Sequence, residues 1–362
     1  PSNNADWLDL AVEETLEPDL PIIDPHHHLW DARGSHYVQD RYLMDEMAAD
    51  VSSGHNIVST VFIECGAMFR QDGPEHMRCV GETEFVNGIA AMSASGLYGP
   101  TRIAAGIVGT APLRQGDKPS AEALDAQIAA GNGRFRGIRV GATWDASPDV
   151  GNHRTEPPEG MYLDATFRAG FQHLAWRDLT FEAWCYHPQL PELVDLAKAF
   201  PNTTIILDHF GGPIGVGPYA GREDEVFETW RTNIGPLAEL PNVMAKLGGI
   251  VMEVNGFGWQ DRPKPPSSRE LMERTRRYYE PTMDIFGVER CMFESNFPVD
   301  KVACSYNVLW NSFKRLTEGY SDADKAALYH DTAARVYRLG GRARGYSNRS
   351  GVIARSRRRR SN

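Results

Sequence analysis

Short runs rich in valine, isoleucine, phenylalanine and threonine recur along the chain, each bounded by glycine, proline or asparagine. Such runs are typical of buried strands. They predict strands at 21–30, 57–66, 102–110, 135–140, 180–186, 203–210, 242–249 and 290–298. Stretches of helical periodicity predict helices at 75–95, 120–130, 161–177, 190–199, 223–239, 268–286, 305–318 and 322–338.

The order of these elements predicts the fold class. Strands that alternate with helices form βαβ units and a parallel sheet, and eight such units point to an α/β protein with a (β/α)8 TIM barrel. A doubly wound sheet would carry a glycine-rich phosphate loop after an early strand. The sequence has no such loop, so the barrel is the preferred architecture.

The composition narrows the class of protein. The chain has 362 residues and 41% hydrophobic content, which suits a globular enzyme and excludes a fibrous or disordered chain. No apolar run approaches the roughly 18 residues that a membrane helix needs. The polar N-terminus does not resemble a secretory signal, and the five cysteines are scattered without a CxxC pair. These features predict a cytoplasmic protein with reduced thiols.

The charge is distributed unevenly. Residues 341–362 contain eight arginines and no acidic residue, so the remainder carries 30 basic and 48 acidic residues. We expect an N-terminal extension at 1–20, a barrel domain at 21–340 and a basic tail at 341–362. An acidic body repels nucleic acid and anionic membranes, so neither is an expected partner. The tail is interpreted as a solvated extension, with contact to RNA, DNA or an anionic surface as the alternative.

Histidines at predicted strand ends carry the strongest chemical signal. His26 and His28, in Asp-Pro-His-His-His, project to one side of the first strand because side chains alternate. His187 follows the fifth strand and His209 the sixth. The carboxyl ends of barrel strands converge, so these four imidazoles predict a shared centre that could bind a divalent cation. The alternative interpretation is a set of buried, hydrogen-bonded structural histidines.

At four places the sequence resembles the amidohydrolase superfamily, specifically its lactonase-like branch known as amidohydrolase family 2. The matching segments are IIDPHHHLWD (22–31), FRGIRV (135–140), the run 187–213 that ends in LDHFGGP, and MFESNFPVD (292–300). The resemblance covers roughly 20–340. It implies a TIM barrel that hydrolyses a lactone, or a related ester or amide, of a small substrate. It also implies a divalent metal in many members, zinc above all, although some lactonases of this branch work without one.

The resemblance also implies roles for single residues. His26, His28 and His187 correspond to metal-binding histidines, and His209 to the catalytic histidine of the sixth strand. Arg139 corresponds to the arginine that holds a substrate carboxylate or carbonyl. The planar fork of a guanidinium suits such recognition, and an ion pair within the barrel is the alternative reading.

The eighth strand departs from the family pattern. Where relatives read Ser-Asp, this chain has Ser295-Asn296, and an amide cannot act as a general base. Glu294, two residues earlier, should face the same side of the strand and replace the missing carboxylate. Glu64, at the end of the second strand, is a second candidate at the mouth. The alternative is that these glutamates form structural ion pairs with Lys246, with Arg139 or with each other.

Two long loops follow predicted strands and should cover the site. Trp144 in loop 141–160 and Trp259 in loop 251–268 are expected to line a substrate pocket, or else to anchor the loops. With them, His187, Glu64 and Arg139 complete the expected substrate contacts, while Glu294, Asn296 and His209 form the expected catalytic set. Asp208 is expected to face away from His209, because adjacent strand residues alternate.

Together these features predict a hydrolase that acts on a small, carboxylate-bearing lactone with water activated by a metal or a carboxylate. Two alternatives remain open at this stage. One is a metal-dependent decarboxylase or hydratase of a small carboxylic acid. The other is a lapsed enzyme that binds a ligand without turnover, which the presence of Asn296 suggests. Barrels of this kind frequently form homo-oligomers, but no segment of the sequence identifies an interface.

Overall fold

A computed structural model of the chain describes residues 4–33 and 38–340. It confirms the predicted barrel. Eight parallel strands pair in chain order. They are β1 (Pro21–His27), β2 (Asn56–Ile63), β3 (Arg102–Gly109), β4 (Phe135–Arg139), β5 (Thr180–Ala183), β6 (Ile205–Leu207), β7 (Val243–Leu247) and β8 (Cys291–Phe293). Most are shorter than the predicted runs, because the polar residues at their carboxyl ends leave the sheet to form the site.

The helices lie mainly between the strands. They are α1 (Ala5–Leu8), α2 (Met44–Val51), α3 (Val80–Ala94), α4 (Asp117–Ala130), α5 (Ala165–Phe171), α6 (His173–Trp176), α7 (Leu190–Ala199), α8 (Glu223–Ala238), α9 (Ser268–Phe286), α10 (Tyr306–Leu316), α11 (Asp322–Ala326) and α12 (Thr332–Val336). The periodicity did not reveal α2, and a π-helical turn at Ala327–Asp331 divides the predicted helix 322–338. Among the described residues, no helix combines the length and apolar composition that crossing a membrane requires.

The first and last strands are joined at their carboxyl ends. Asn296 N donates to the carbonyl of His26 at 2.9 Å, and His28 N donates to the carbonyl of Phe297 at 2.8 Å. Below them, the buried Asp24 carboxylate accepts from the Ser295 hydroxyl at 2.6 Å. Burial raises the pKa of Asp24 to about 6. These bonds close the barrel and bring the histidine segment of β1 beside the segment that follows β8.

The interior of the barrel has an apolar floor and a charged upper layer. Ile206, Met244 and Met292 belong to a buried apolar cluster that Tyr337, just after α12, helps to complete. Two residues further along the same strands come Asp208, Lys246 and Glu294, all fully buried. The period of two in a strand places these charged side chains on the inner face. The polar site therefore lies directly on top of the core.

The described part of the predicted extension, residues 4–20, packs against helices on the outside of the barrel. Glu13 accepts from Ser268 N at 2.7 Å, and Leu16 N donates to Asn311 Oδ1 at 2.9 Å. Lys325 forms an ion pair with Glu17 at 2.9 Å. The boundaries assigned to the extension and the barrel stay a prediction, and the basic tail 341–362 lies outside the described residues.

Candidate active site and metal centre

Glu294 is the central group of the site. Its Oε2 lies 2.7 Å from Nδ1 of His26, and its Oε1 lies 2.7 Å from Nδ1 of His209. All three side chains are at most 2% exposed. Burial, reinforced by the charge of Lys246, lowers the pKa of His26 well below its ordinary value. His26 is therefore a neutral imidazole, the form that can donate Nδ1–H to a carboxylate or bind a metal.

His209 reaches the centre because the backbone leaves the strand. β6 ends at Leu207, and His209 has a φ of +53°. Asp208 was expected to face away from His209, and this expectation is wrong. The side chain of Asp208 points into the barrel, as that of Ile206 does two residues earlier. The left-handed turn at His209 directs the side chain of His209 inward as well. The imidazole of His209 also contacts Trp184 edge-on, with ring centroids 4.8 Å apart.

Two glycines after β7 provide the space for this pair. A Cβ atom on Gly248 would lie 2.5 Å from Cγ of Glu294, and one on Gly249 would lie 1.9 Å from Nδ1 of His209. Gly249 has a φ of +65°, which also favours glycine. The Gly-Gly pair after Lys246-Leu247 is thus part of the site. In the sequence, its position at the end of a predicted strand is the feature that could have identified it.

His28 and Asn296 form a second contact beside the first. His28 Nδ1 donates to the carbonyl of Ile63 at 2.8 Å, and its Nε2 lies 3.3 Å from Oδ1 of Asn296. Burial, with the charge of Arg139, lowers the pKa of His28 well below its ordinary value. Asn296 donates one N–H to Asp300 at 2.8 Å. The neutral His28 therefore presents the lone pair of Nε2 beside an amide oxygen.

The structure supports the ion-pair reading of Arg139 and Glu64 over direct substrate binding. Arg139 donates to Glu64 Oε1 at 2.9 Å and lies 3.6 Å from Asp208. Glu64 also pairs with Arg154. Burial alone would raise the pKa of Glu64, but Arg154 and Arg139 outweigh it and lower the value to about 2. Glu64 is therefore ionised near neutrality and is a weak base, because a carboxylate of low pKa binds a proton poorly.

A pocket of about 180 Å³ opens above this layer. Its lining is basic and aromatic: His28, Trp30, Arg33, Cys65, Arg139, His153, Arg154, Trp184, His209, Met252, Asn296 and Val299. Arg154 is the arginine of this set that the loop 141–160 contributes, and its side chain is 30% exposed. Its Nε donates to the carbonyl of Cys65 at 3.0 Å. The pocket suits an anionic small molecule.

Three residues expected at the site lie elsewhere. His187 contacts Tyr219, with ring centroids 5.5 Å apart, and its Nδ1 accepts from Ile214 N at 3.4 Å. Among the described residues, it makes no hydrogen bond or ring contact with His26, His28 or His209, and β5 ends at Ala183, four residues before it. Trp144 and Trp259 do not line the pocket either. Trp259 stacks on Phe257 at 5.9 Å and anchors its own loop.

The donor set fits one divalent ion. Ligand atoms of His26, His209 and Glu294 lie within 4.8 Å of one another, and all three residues are buried. Two imidazoles and one carboxylate are the ligands that a catalytic zinc site takes, with a fourth position left for water or substrate. The geometry brings His26, a predicted ligand, together with His209 and Glu294, which the sequence predicted as catalytic residues. The assignment of His26, His28 and His187 as metal ligands stays a prediction.

Comparison with known proteins agrees with this geometry. The sequence profile of the Amidohydrolase family matches residues 23–339. This chain belongs to the amidohydrolase family. It is therefore an enzyme of the hydrolase type, as the four resembling segments predicted.

This amidohydrolase is similar in sequence to two known proteins and similar in fold to one solved structure. The uncharacterized protein y4mH of Sinorhizobium fredii (strain NBRC 101917 / NGR234) is 33% identical over 338 residues, which cover 89% of this chain and 99% of that protein. An L-fucono-1,5-lactonase of Burkholderia multivorans (strain ATCC 17616 / 249) is 30% identical over 177 residues, 49% of this chain and 57% of that protein. A crystal structure of a Burkholderia multivorans amidohydrolase with bound zinc is 25% identical, with a TM-score of 0.67 and coverage of 88% and 99%.

Sequence reasoning gave two residues of this amidohydrolase site too little weight. Lys246 was considered only as an ion-pair partner, yet its Nζ lies 3.1 Å from Nδ1 of His26. Glu182 on β5 was not considered, although it is fully buried and its Oε2 lies 2.7 Å from Nζ of Lys246. Both occupy inward positions of strands. A charged residue at the inward position of an otherwise apolar barrel strand is the signal that could have identified them.

Proposed function

We propose that this amidohydrolase hydrolyses the ester bond of a small lactone that bears a carboxylate. One observation carries the proposal: the carboxylate of Glu294 contacts the imidazoles of both His26 and His209, and His209 lines a basic pocket. Support also comes from the similarity to an L-fucono-1,5-lactonase. The arginines of the pocket favour an anionic lactone over a neutral one.

In this proposal, His209 removes the proton from the attacking water. Its Nδ1 is hydrogen-bonded to Glu294, so the other ring nitrogen, Nε2, is the basic atom. Glu294 fixes the tautomer and stabilises the imidazolium that forms, as carboxylates do for catalytic histidines. Acting through His209, Glu294 thus takes the role of the aspartate that the family pattern has at the position of Asn296.

The remaining groups bind and orient the substrate. Arg154, on the pocket wall, pairs with the substrate carboxylate. Asn296 keeps one N–H for the carbonyl oxygen, since only the other is bonded to Asp300. Charge that develops on that oxygen in the transition state strengthens this bond. Arg139 is a positioning residue, because it holds Glu64 and the wall of the pocket in place.

The base role of His209 belongs to the metal-free protein. In the metal-bound protein, His26, His209 and Glu294 are instead the residues that would hold a divalent ion, and we propose zinc for a donor set with two imidazoles. When bound, such an ion would polarise the substrate carbonyl and make water a stronger nucleophile at neutral pH.

The proposal is tested with a panel of lactones that differ only in the presence of a carboxylate. Ring opening is followed by acid release at constant pH, and the products are identified by mass spectrometry. We expect ring-opened hydroxy acids with no loss of carbon and a preference for the carboxylated members. Release of carbon dioxide from a carboxylic acid would instead show a decarboxylase. Tight binding of a carboxylated lactone without turnover, in both metal-free and zinc-loaded protein, would show a lapsed enzyme.

A further inference from the structure

The ammonium of Lys246 lies beneath the candidate metal centre, among acidic groups from three strands. Its Nζ is 2.7 Å from Oε2 of Glu182, 3.5 Å from Oδ1 of Asp208 and 3.8 Å from Oε2 of Glu294. It also lies 3.1 Å from Nδ1 of His26. All of these side chains are fully buried, so water does not compensate their charges.

The groups around Lys246 are those that bind a divalent cation. Carboxylate oxygens from β5, β6 and β8 and one imidazole converge on a single point at the level of the ammonium. Carboxylate-rich sets of this kind suit manganese and magnesium. The geometry is that of a cation position, and a side chain of the protein fills it.

Further contacts hold this arrangement in place. The hydroxyl of Tyr337 donates to Oε1 of Glu182 at 2.5 Å, below the ammonium. On the other side, Arg139 lies 3.6 Å from Oδ2 of Asp208. Buried carboxylates without a cation are strongly unfavourable, so the lysine charge is a structural requirement of the layer.

We propose that Lys246 permanently occupies a second cation position, so that the centre holds at most one divalent ion. The chain itself supplies the charge that a second metal ion would otherwise bring to the deep end of the site. This inference concerns the number of ions and does not depend on which substrate is hydrolysed. It also gives Lys246 a positioning role, because the ammonium holds Glu294 and Asp208 at fixed places.

The test counts metal ions in the full-length protein. Wild type and the Lys246→Ala variant are loaded with excess manganese, passed through gel filtration and analysed by elemental mass spectrometry. We expect no more than one ion per chain in the wild type and one additional ion in Lys246→Ala. The double variant Lys246→Ala/Glu182→Gln should lose the additional ion. Lys301→Ala, which removes a lysine paired with the single carboxylate of Asp50, should gain none.

Two outcomes would overturn the proposal. One is a wild-type protein that holds two ions per chain, a result that needs no variant. The other is a folded Lys246→Ala protein without an additional ion. If Lys246→Ala is too unstable to purify alone, it is refolded with manganese, and its melting temperature is compared with and without the ion. A larger rise than in wild type supports the proposal, and failure of manganese to restore the fold contradicts it.

Discussion

The backbone of Gly249 fixes the imidazole of His209. A Cβ atom on this glycine would lie 1.9 Å from Nδ1, the atom that bonds to Glu294. Such a distance is far below van der Waals contact. The position of the candidate base is therefore set by the lack of a side chain at Gly249, just after a neighbouring strand, as well as by the residues that bond to it.

We expect Gly249→Ala to displace His209 and break its hydrogen bond to Glu294. The proposed geometry requires hydrogen-bond distances, so kcat should fall by about 100-fold or more. Gly96→Ala is the matched control, because Gly96 has a φ of +79° and no atom within 4 Å of its Cβ position. Steady-state kinetics of both variants decide the matter. Equal activity in the two variants would show that His209 tolerates displacement.

Glu294→Gln should remove the charge that makes His209 a competent base. General acid–base groups contribute about 10²- to 10⁴-fold to the rate, and we expect a loss in kcat of that size. The variant should still fold and show a cooperative melting transition. Glu192→Gln, on α7 outside the site, serves as the control carboxylate variant. Retention of wild-type turnover in Glu294→Gln would remove this residue from the mechanism.

Arg154→Met should weaken the binding of carboxylated substrates. A hydrogen bond to a charged group contributes about 1.5–3 kcal/mol, so KM should rise about 10- to 100-fold for a carboxylated lactone. The KM of a neutral lactone should change much less. Arg231→Met, on the exposed surface of α8, controls for the loss of an arginine. The same loss for both lactones would indicate a general disturbance of loop 141–160.

Asn296→Asp tests whether the asparagine marks a lapsed site. The new carboxylate would lie 2.8 Å from Asp300, so we expect repulsion and a fall in both activity and stability. Kinetics and thermal melting of the two proteins give the answer. A variant that gains lactonase activity from an inert wild type would establish that the natural chain has lost its catalyst.

Glu82 gives a stability prediction with a defined sign. Burial raises the pKa of this carboxyl to about 7 from its ordinary value of 4.5, although it accepts hydrogen bonds from Cys65 N and Ala67 N. The folded state therefore binds the proton more tightly than the unfolded state. The contribution to stability is fully present below pH 4.5 and is lost as the pH rises through 7.

Glu82→Gln mimics the protonated form at every pH and should abolish this component. Urea unfolding at pH 4.5 and pH 7.5 measures the free energy of unfolding for both proteins. We expect the difference between the variant and the wild type to favour the variant by up to about 3 kcal/mol more at the higher pH. A difference that is the same at both pH values would contradict the raised pKa.

The local sequence pattern was sufficient for the barrel and part of its site. The rhythm of apolar runs predicted all eight strands, and α9 was predicted with the bounds that the structure shows, 268–286. Period-two counting placed Glu294 on the same side of the eighth strand as Asn296, and in the structure its carboxylate lies inside the barrel, 2.7 Å from Nδ1 of His26. Such predictions succeed because a regular strand fixes the direction of each side chain.

The same counting failed where the backbone leaves the strand. His209 and Asn296 both have a positive φ, +53° and +54°, so alternation no longer gives the direction of their side chains. His187 follows a strand that ends four residues earlier, and it lies away from the centre. The periodicity of a strand contains no information about these turns.

The sequence by itself therefore determined the order of strands and helices, the family and the inward position of Glu294. Only the tertiary structure decided which partners the buried charged residues have. In the structure, the carboxylate of Glu294 contacts both His26 and His209, and Lys246 lies among three carboxylates. The physical reason is that strand periodicity is a local property of the backbone. Pairing between buried charges depends instead on distances across a closed barrel, which no single segment of the chain sets.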